Sequence, residues 1–204
     1  MQNTTHVVRV ARRAPDFTAA AVRGDGSIDE RFNLAELTGR YVALFFWPLD
    51  HTFVCPTELL AFDHRLTAFD KRDCAVVGVS IDSVYSHVHW RDTPVEQGGI
   101  GPVGFTMVSD LRGSIAEQYG VRTVEGPALR GTFLLDRDLV CRHILINDLN
   151  LGRDVDETLR TLDALQHVER FGEVCPANWH EGEAAMTPTA DSTARFLQMH
   201  GAAL

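Results

Sequence analysis

The sequence has few cysteines, an excess of negative over positive charge, and no long apolar run. Four cysteines, at positions 55, 74, 141 and 175, are spread over 204 residues. That is too sparse for a disulfide scaffold, and no two of them form a Cys-x-x-Cys or another paired zinc spacing. A dithiol oxidoreductase of the Cys-x-x-Cys kind is therefore disfavoured, and no metal site is expected. Lys and Arg number 19 against 28 Asp and Glu, a formal charge of −9. An acidic chain repels phosphate backbones, which argues against nucleic acid as the partner. No apolar stretch reaches the roughly 18 residues a membrane-spanning helix needs. The first ten residues hold no apolar core for a secretory signal, and Arg12-Arg13 leads into Ala14-Pro15-Asp16 rather than into an apolar run. The expectation is a cytoplasmic protein with no membrane segment. In a reducing compartment its cysteines are either buried fillers or reactive thiols.

What is present is a globular balance, 45% hydrophobic and 23% charged. The run Tyr41-Val42-Ala43-Leu44-Phe45-Phe46-Trp47 has no polar alternation, which predicts a strand buried on both faces. Residues 75–81 predict a second such strand. Leu59, Phe62, Leu66 and Phe69 fall on one helical face. Further strands are expected at 7–10, at 106–109 and in a hairpin joined by Asp136-Arg137-Asp138. Helices are expected at 83–90, at 113–119 and on the stripe Val155, Leu159, Leu162, Leu165, and a short capped turn after Asn33. Residues 14–26 read as irregular. Strands alternating with helices, then a hairpin, predict an α/β layer with a mixed sheet. From about Phe171 the apolar period is lost. The division is then a domain over 1–170 and a C-terminal arm over 171–204 that needs another surface to pack on.

One cysteine stands in a position of chemical consequence. Pro48 stops the buried strand, and Pro56 suits the first position of a helix, where its missing N–H would be unpaired anyway. Cys55 therefore sits at a helix N-terminus, where free N–H groups and the dipole favour a thiolate. Thr52, three residues earlier, can bring a hydroxyl beside the sulfur. An isolated cysteine is more often an inert filler. The strand-to-helix junction reverses that expectation for Cys55, whereas Cys74 and Cys141, beside and within strands, read as small core side chains.

The segment Phe45 to Glu58, with its Pro-x-x-x-Thr-x-x-Cys pattern, resembles the active-site signature of the peroxiredoxins. It is more similar to their typical two-cysteine group, which includes the bacterial alkyl hydroperoxide reductases. Ala14-Pro15-Asp16-Phe17, Gln97-Gly98-Gly99-Ile100-Gly101-Pro102, Leu129-Arg130-Gly131-Thr132-Phe133 and Gly172-Glu173-Val174-Cys175-Pro176 resemble further segments of that family, in order, over residues 14–188. His51 departs from it, since an aromatic residue is usual there. The resemblance implies a thioredoxin-like fold and peroxide reduction without a cofactor. Cys55 would attack the O–O bond and become a sulfenic acid. Thr52 would hydrogen-bond the sulfur and the incoming oxygen, Arg130 would favour the thiolate and stabilise the leaving charge, Pro48 would shield the thiolate, and Glu58 would hold the arginine. Cys175 would condense with the sulfenic acid into a disulfide between two subunits, and the dimers would assemble into a ring-shaped decamer. The substrates would be hydrogen peroxide and organic hydroperoxides. The reductant would be thioredoxin or a dedicated flavoprotein disulfide reductase, and no residue separates the two. A holdase chaperone on the same fold is the rival of a different class. Peroxide-sensitive relatives carry a glycine motif like Gly98-Gly99-Ile100-Gly101 and a tail Tyr-Phe pair; this chain keeps the motif but has Phe196-Leu197 in the tail, which implies sensitivity to overoxidation between the family extremes, closer to robust.

Two other patterns carry less. Residues 99–104 satisfy G-x-G-x-x-G, but Pro102 interrupts them and a strand rather than a helix is expected next. His87 and His89 have no third ligand in sight and read as part of an exposed helix.

Overall fold

A computed structural model describes residues 7–203. They fall into two compact units that divide between Val155 and Asp156.

The first unit is built on one seven-stranded sheet. Its strands are β1 (Thr18–Val22), β2 (Ile28–Asn33), β3 (Tyr41–Phe46), β4 (Cys74–Ser80), β5 (Thr106–Ser109), β6 (Arg130–Leu135) and β7 (Cys141–Asn147), in the order β2-β1-β5-β4-β3-β6-β7. β3, β4 and β5 run parallel, because a helical crossover joins each to the next: α1 (Cys55–Asp63) with α2 (Leu66–Asp70), then α3 (Val84–Asp92). The outer pairs are antiparallel, so the sheet is mixed. A fourth helix, α4 (Ser114–Gln118), follows β5.

The unbroken apolar run of β3 is explained by its place. It lies between β4 and β6, and all six of its residues are buried. Leu44 and Phe46 enter a core with Phe32, Val77, Val108, Tyr119 and Phe133, while Phe45 stacks on Phe62 of α1 at 4.1 Å between ring centroids. Gly78 on β4 admits this packing, since a Cβ there would lie 2.7 Å from the Trp47 ring and 2.8 Å from that of Phe45. The turn after Asn33 is capped as expected: the Asn33 side chain accepts from the Ala35 N–H, and Glu36 reaches back to the Asn33 N–H.

The second unit holds α5 (Val155–Phe171), whose first residue belongs to the first unit, and α6 (Ala190–His200). Between them a two-residue bridge pairs Val174 with Met186.

Several expectations from the sequence need correction. Residues 7–10 form no strand; Val8 instead donates to the Gln118 carbonyl. The stretch read as irregular contains β1, which pairs with β2 as a hairpin at one edge of the sheet. Small alanines and a polar β2 gave no apolar run to find. The single helix expected over 59–69 is two, interrupted at His64 and Arg65. Where the sequence shows no apolar period, the arm carries a helix: Thr189 caps α6 with its side chain on the Ser192 N–H.

Candidate active site

The end of β3 and the start of α1 are joined by residues 47–54. Pro48 is buried at the head of that loop. His51 carries a left-handed backbone, φ 52°, which turns the chain back before Thr52. Cys55 is the first residue of α1, and Pro56 is the second rather than the first. The Cys55 side chain is fully buried.

Two groups converge on its sulfur. The Thr52 hydroxyl lies 2.8 Å from Cys55 Sγ and 2.9 Å from the Leu49 carbonyl, and Arg130 Nη1 lies 3.3 Å from the sulfur. Arg130 opens β6 and is only 4% exposed, so it is no surface arginine. Its Nε donates to the Leu149 carbonyl at 2.8 Å and its Nη1 to Glu58 Oε2 at 2.5 Å. Glu58 is one helical turn after Cys55 and is itself buried. The structure thus brings Cys55, Thr52, Arg130 and Glu58 together, and puts Pro48 in the same loop.

A fifth residue, missed in the sequence, completes the cluster. Arg153 forks onto both Glu58 oxygens through Nε at 2.8 Å and Nη2 at 3.0 Å, while its backbone N–H donates to Oε1. Its Nη1 donates to the carbonyls of Phe46 and Gly131, at the end of β3 and the start of β6. Burial pushes its guanidinium down from the usual value, and Glu58 opposes this. No pattern around Gly152-Arg153-Asp154 announces that role; only the fold brings residue 153 to residue 58. The charges then balance in a telling way. Two buried guanidiniums face one carboxylate, leaving one positive charge that a thiolate at Cys55 would neutralise.

Cys175 lies in the second unit, half-buried, with its sulfur 3.7 Å from the Ala164 carbonyl. Burial and then Glu173 raise its pKa, against Arg160. Next to it Trp179 is buried, held by its indole N–H on the Glu183 carbonyl and packed on His167. The other two cysteines are core side chains, as expected: burial pushes Cys74 up to about 12 and Cys141 to about 11.

Among the described residues no group of three or more potential ligands could hold a metal ion. The G-x-G-x-x-G stretch is loop that leads into β5. His87 is not on an exposed face as its sequence suggested; it is fully buried, while His89 is exposed as expected.

Residues 10–144 match the model of the AhpC/TSA family, and residues 164–198 that of the C-terminal domain of 1-Cys peroxiredoxin. The chain is 51% identical over 190 residues to an alkyl hydroperoxide reductase C of Helicobacter pylori, covering 93% of this chain and 96% of that one. It is 45% identical over 192 residues to a peroxiredoxin-2 of Cricetulus griseus, covering 94% and 96%. Among solved structures, the reduced 2-Cys peroxiredoxin of Plasmodium vivax superposes with a TM-score of 0.90 at 44% identity, covering 93% of this chain and 98% of that one.

Proposed function

The chain belongs to the AhpC/TSA family, the peroxiredoxins, and on that premise we propose that its thiol peroxidase reaction runs through Cys55. The thiolate attacks one oxygen of the peroxide. The O–O bond breaks, the sulfur gains that oxygen as a sulfenic acid, and the other oxygen leaves with the electron pair as alkoxide or hydroxide and takes up a proton. Arg130 holds its Nη1 beside the sulfur, where the charge moves. Thr52 has one hydroxyl proton. It donates that proton either to the Cys55 thiolate at 2.8 Å or to the Leu49 carbonyl at 2.9 Å, and its lone pairs accept from the peroxide O–H. Pro48 keeps bulk water from the thiolate. Glu58 orients Arg130 and keeps its charge from being neutralised by a looser partner. The observation that carries this reading is the convergence of Thr52 and Arg130 on one buried sulfur at a helix start.

The rest of the cycle is assigned to the arm, residues 171–204. The Cys175 thiol condenses with the sulfenic acid, forming an S–S bond and releasing water, with the bond made between two subunits. A dithiol then returns both sulfurs to thiols. Thioredoxin is the proposed donor, and a flavoprotein disulfide reductase the alternative. Members of the family reduce peroxides and form oligomers, and for this chain the assembly is a dimer that closes into a decameric ring. The few, scattered cysteines of the chain suit a reducing compartment, and the cytoplasm is the proposed location. No helix among the described residues is long and apolar enough to cross a membrane. The test is peroxide consumption by the purified protein with thioredoxin and thioredoxin reductase, run beside the flavoprotein system. Turnover with thioredoxin supports the assignment, and turnover with the flavoprotein alone replaces the donor.

A further inference from the structure

A second buried polar cluster lies at the other end of the active-site loop, and the reaction just described does not use it. Asp50 is 7% exposed and His87 is fully buried. The Asp50 carboxylate accepts from the Trp47 indole N–H at 3.0 Å, from the Ser86 hydroxyl at 2.8 Å and from His87 Nδ1 at 2.8 Å. Its backbone N–H donates to Asp82 Oδ2 at 2.9 Å, which also accepts from the Ser80 hydroxyl. Burial, and then Asp50 itself, raise the Asp82 pKa. The far nitrogen of His87 faces the Val108 carbonyl at 3.4 Å. A carboxylate accepts, so Nδ1 carries the proton of its contact with Asp50. Four elements meet in this cluster: the loop through Trp47 and Asp50, β4 through Ser80, α3 through Ser86 and His87, and β5 through Val108.

Its place along the chain gives it a function. Asp50 is two residues before Thr52 and five before Cys55, and its hydrogen bonds tie the loop to α3 just before the left-handed turn at His51, whose ring packs on His89 and Trp90. Cys55 is fully buried, so a second cysteine reaches its sulfur only if this loop and the start of α1 come out. Peroxide, being small, reacts with the loop in place. We propose that the Asp50–His87 pair is a latch that holds the active-site loop in its peroxide-reactive position, and that its strength sets how readily the oxidised thiol is released to form the disulfide. Both are positioning residues, since neither touches the sulfur. The inference rests on Cys55 being the reacting thiol.

The variants His87→Asn and His87→Leu separate this role from packing. Asn keeps a donor near the Nδ1 position but loses volume, whereas Leu keeps more of the volume and loses the donor. Two rates are read on the reduced full-length protein: peroxide reaction by stopped-flow fluorescence, and labelling of Cys55 by a bulky maleimide, resolved by mass spectrometry. A buried carboxylate stripped of one donor loses about 1–3 kcal/mol, roughly 5- to 150-fold in an opening equilibrium. His87→Leu is expected to label at Cys55 at least about fivefold faster than wild type and to react with peroxide more slowly, with His87→Asn closer to wild type in both. Leu at or nearer the wild-type rates than Asn would mean that His87 only fills space, and would overturn the latch. Should His87→Leu fail to fold, Asp50→Asn decides: it has the same shape without the charge, faster labelling supports the latch, and an unchanged rate overturns it. Wild-type protein that does not reduce peroxide would overturn the peroxidase reading, while the labelling comparison would still decide the latch.

Discussion

Glu58 is the residue on which the charge of the site turns. Its two oxygens receive Arg130 and Arg153, all three groups are buried, and the sulfur of Cys55 stands 3.3 Å from the first guanidinium. A buried carboxylate between two cations is held by geometry and offsets much of their desolvation cost. Arg130 cannot turn away to a different acid, so its remaining field falls on the sulfur and, in the proposed reaction, on the peroxide oxygen that leaves. Arg130→Ala is expected to slow peroxide attack by on the order of a hundredfold, the usual effect of removing a charged donor from a developing oxyanion. Stopped-flow measurement of the reduced protein checks this, and a normal rate would make Arg130 structural only. The cysteines outside the site make the opposite case. Burial raises Cys74 from 9.0 to about 12 and Cys141 from 9.0 to about 11, so each folded thiol keeps its proton where the unfolded one has lost it. The sign follows: their contribution to stability is complete below pH 9 and falls as pH rises from 9 towards 12. Denaturant titrations across that window should show stability declining, and iodoacetamide at pH 8 should leave both residues unmodified.

At the scale of elements, the strand-to-helix junction was legible because three local signals agree there: an unbroken apolar run for a central strand, a proline suited to a helix start, and a threonine one turn before the cysteine. The paired β6 and β7 announced themselves by apolar runs around an Asp-rich turn. The missed elements lacked such agreement. β1 is mostly alanine, β2 is polar and lies at the sheet edge, and α6 carries its period on few large side chains. Arg153 and His87 were missed for another reason. Their partners, Glu58 and Asp50, are 95 and 37 residues away in the chain, and no local spacing encodes such a meeting. In the tail, the apolar pair Phe196-Leu197 resolves into one buried ring and one half-exposed leucine. Phe196 lines a cavity of about 350 Å³ with Pro176, Ala177, Asn178 and His200, directly after Cys175. Cutting it back should loosen the segment that follows Cys175. Phe196→Ala is therefore expected to lower the fraction of Cys55 driven to sulfinic acid during turnover, as Cys175 competes better for the sulfenic acid. Mass spectrometry at rising peroxide checks it, and an unchanged fraction would remove α6 from the control of overoxidation.

For the whole molecule, the proposed reaction divides the work of two cysteines between the two compact units. Cys55 is fully buried in the first, at a site closed by the ends of β3 and β6, and Cys175 is half-buried in the second. With the disulfide formed between subunits, stoichiometric peroxide should convert the protein to covalent dimers on non-reducing gels, and Cys175→Ser should give none. Oxidised protein that stays monomeric would place the bond within one chain. Sedimentation of the reduced protein should show the ring, and dimers alone would count against it. The most direct test of the account is peroxide turnover by Cys55→Ser with excess dithiothreitol, measured beside wild type and Cys175→Ser. The account predicts that Cys175→Ser still turns over, because the small thiol reduces the sulfenic acid itself, and that Cys55→Ser consumes no peroxide above the uncatalysed rate. Turnover retained by Cys55→Ser would contradict it.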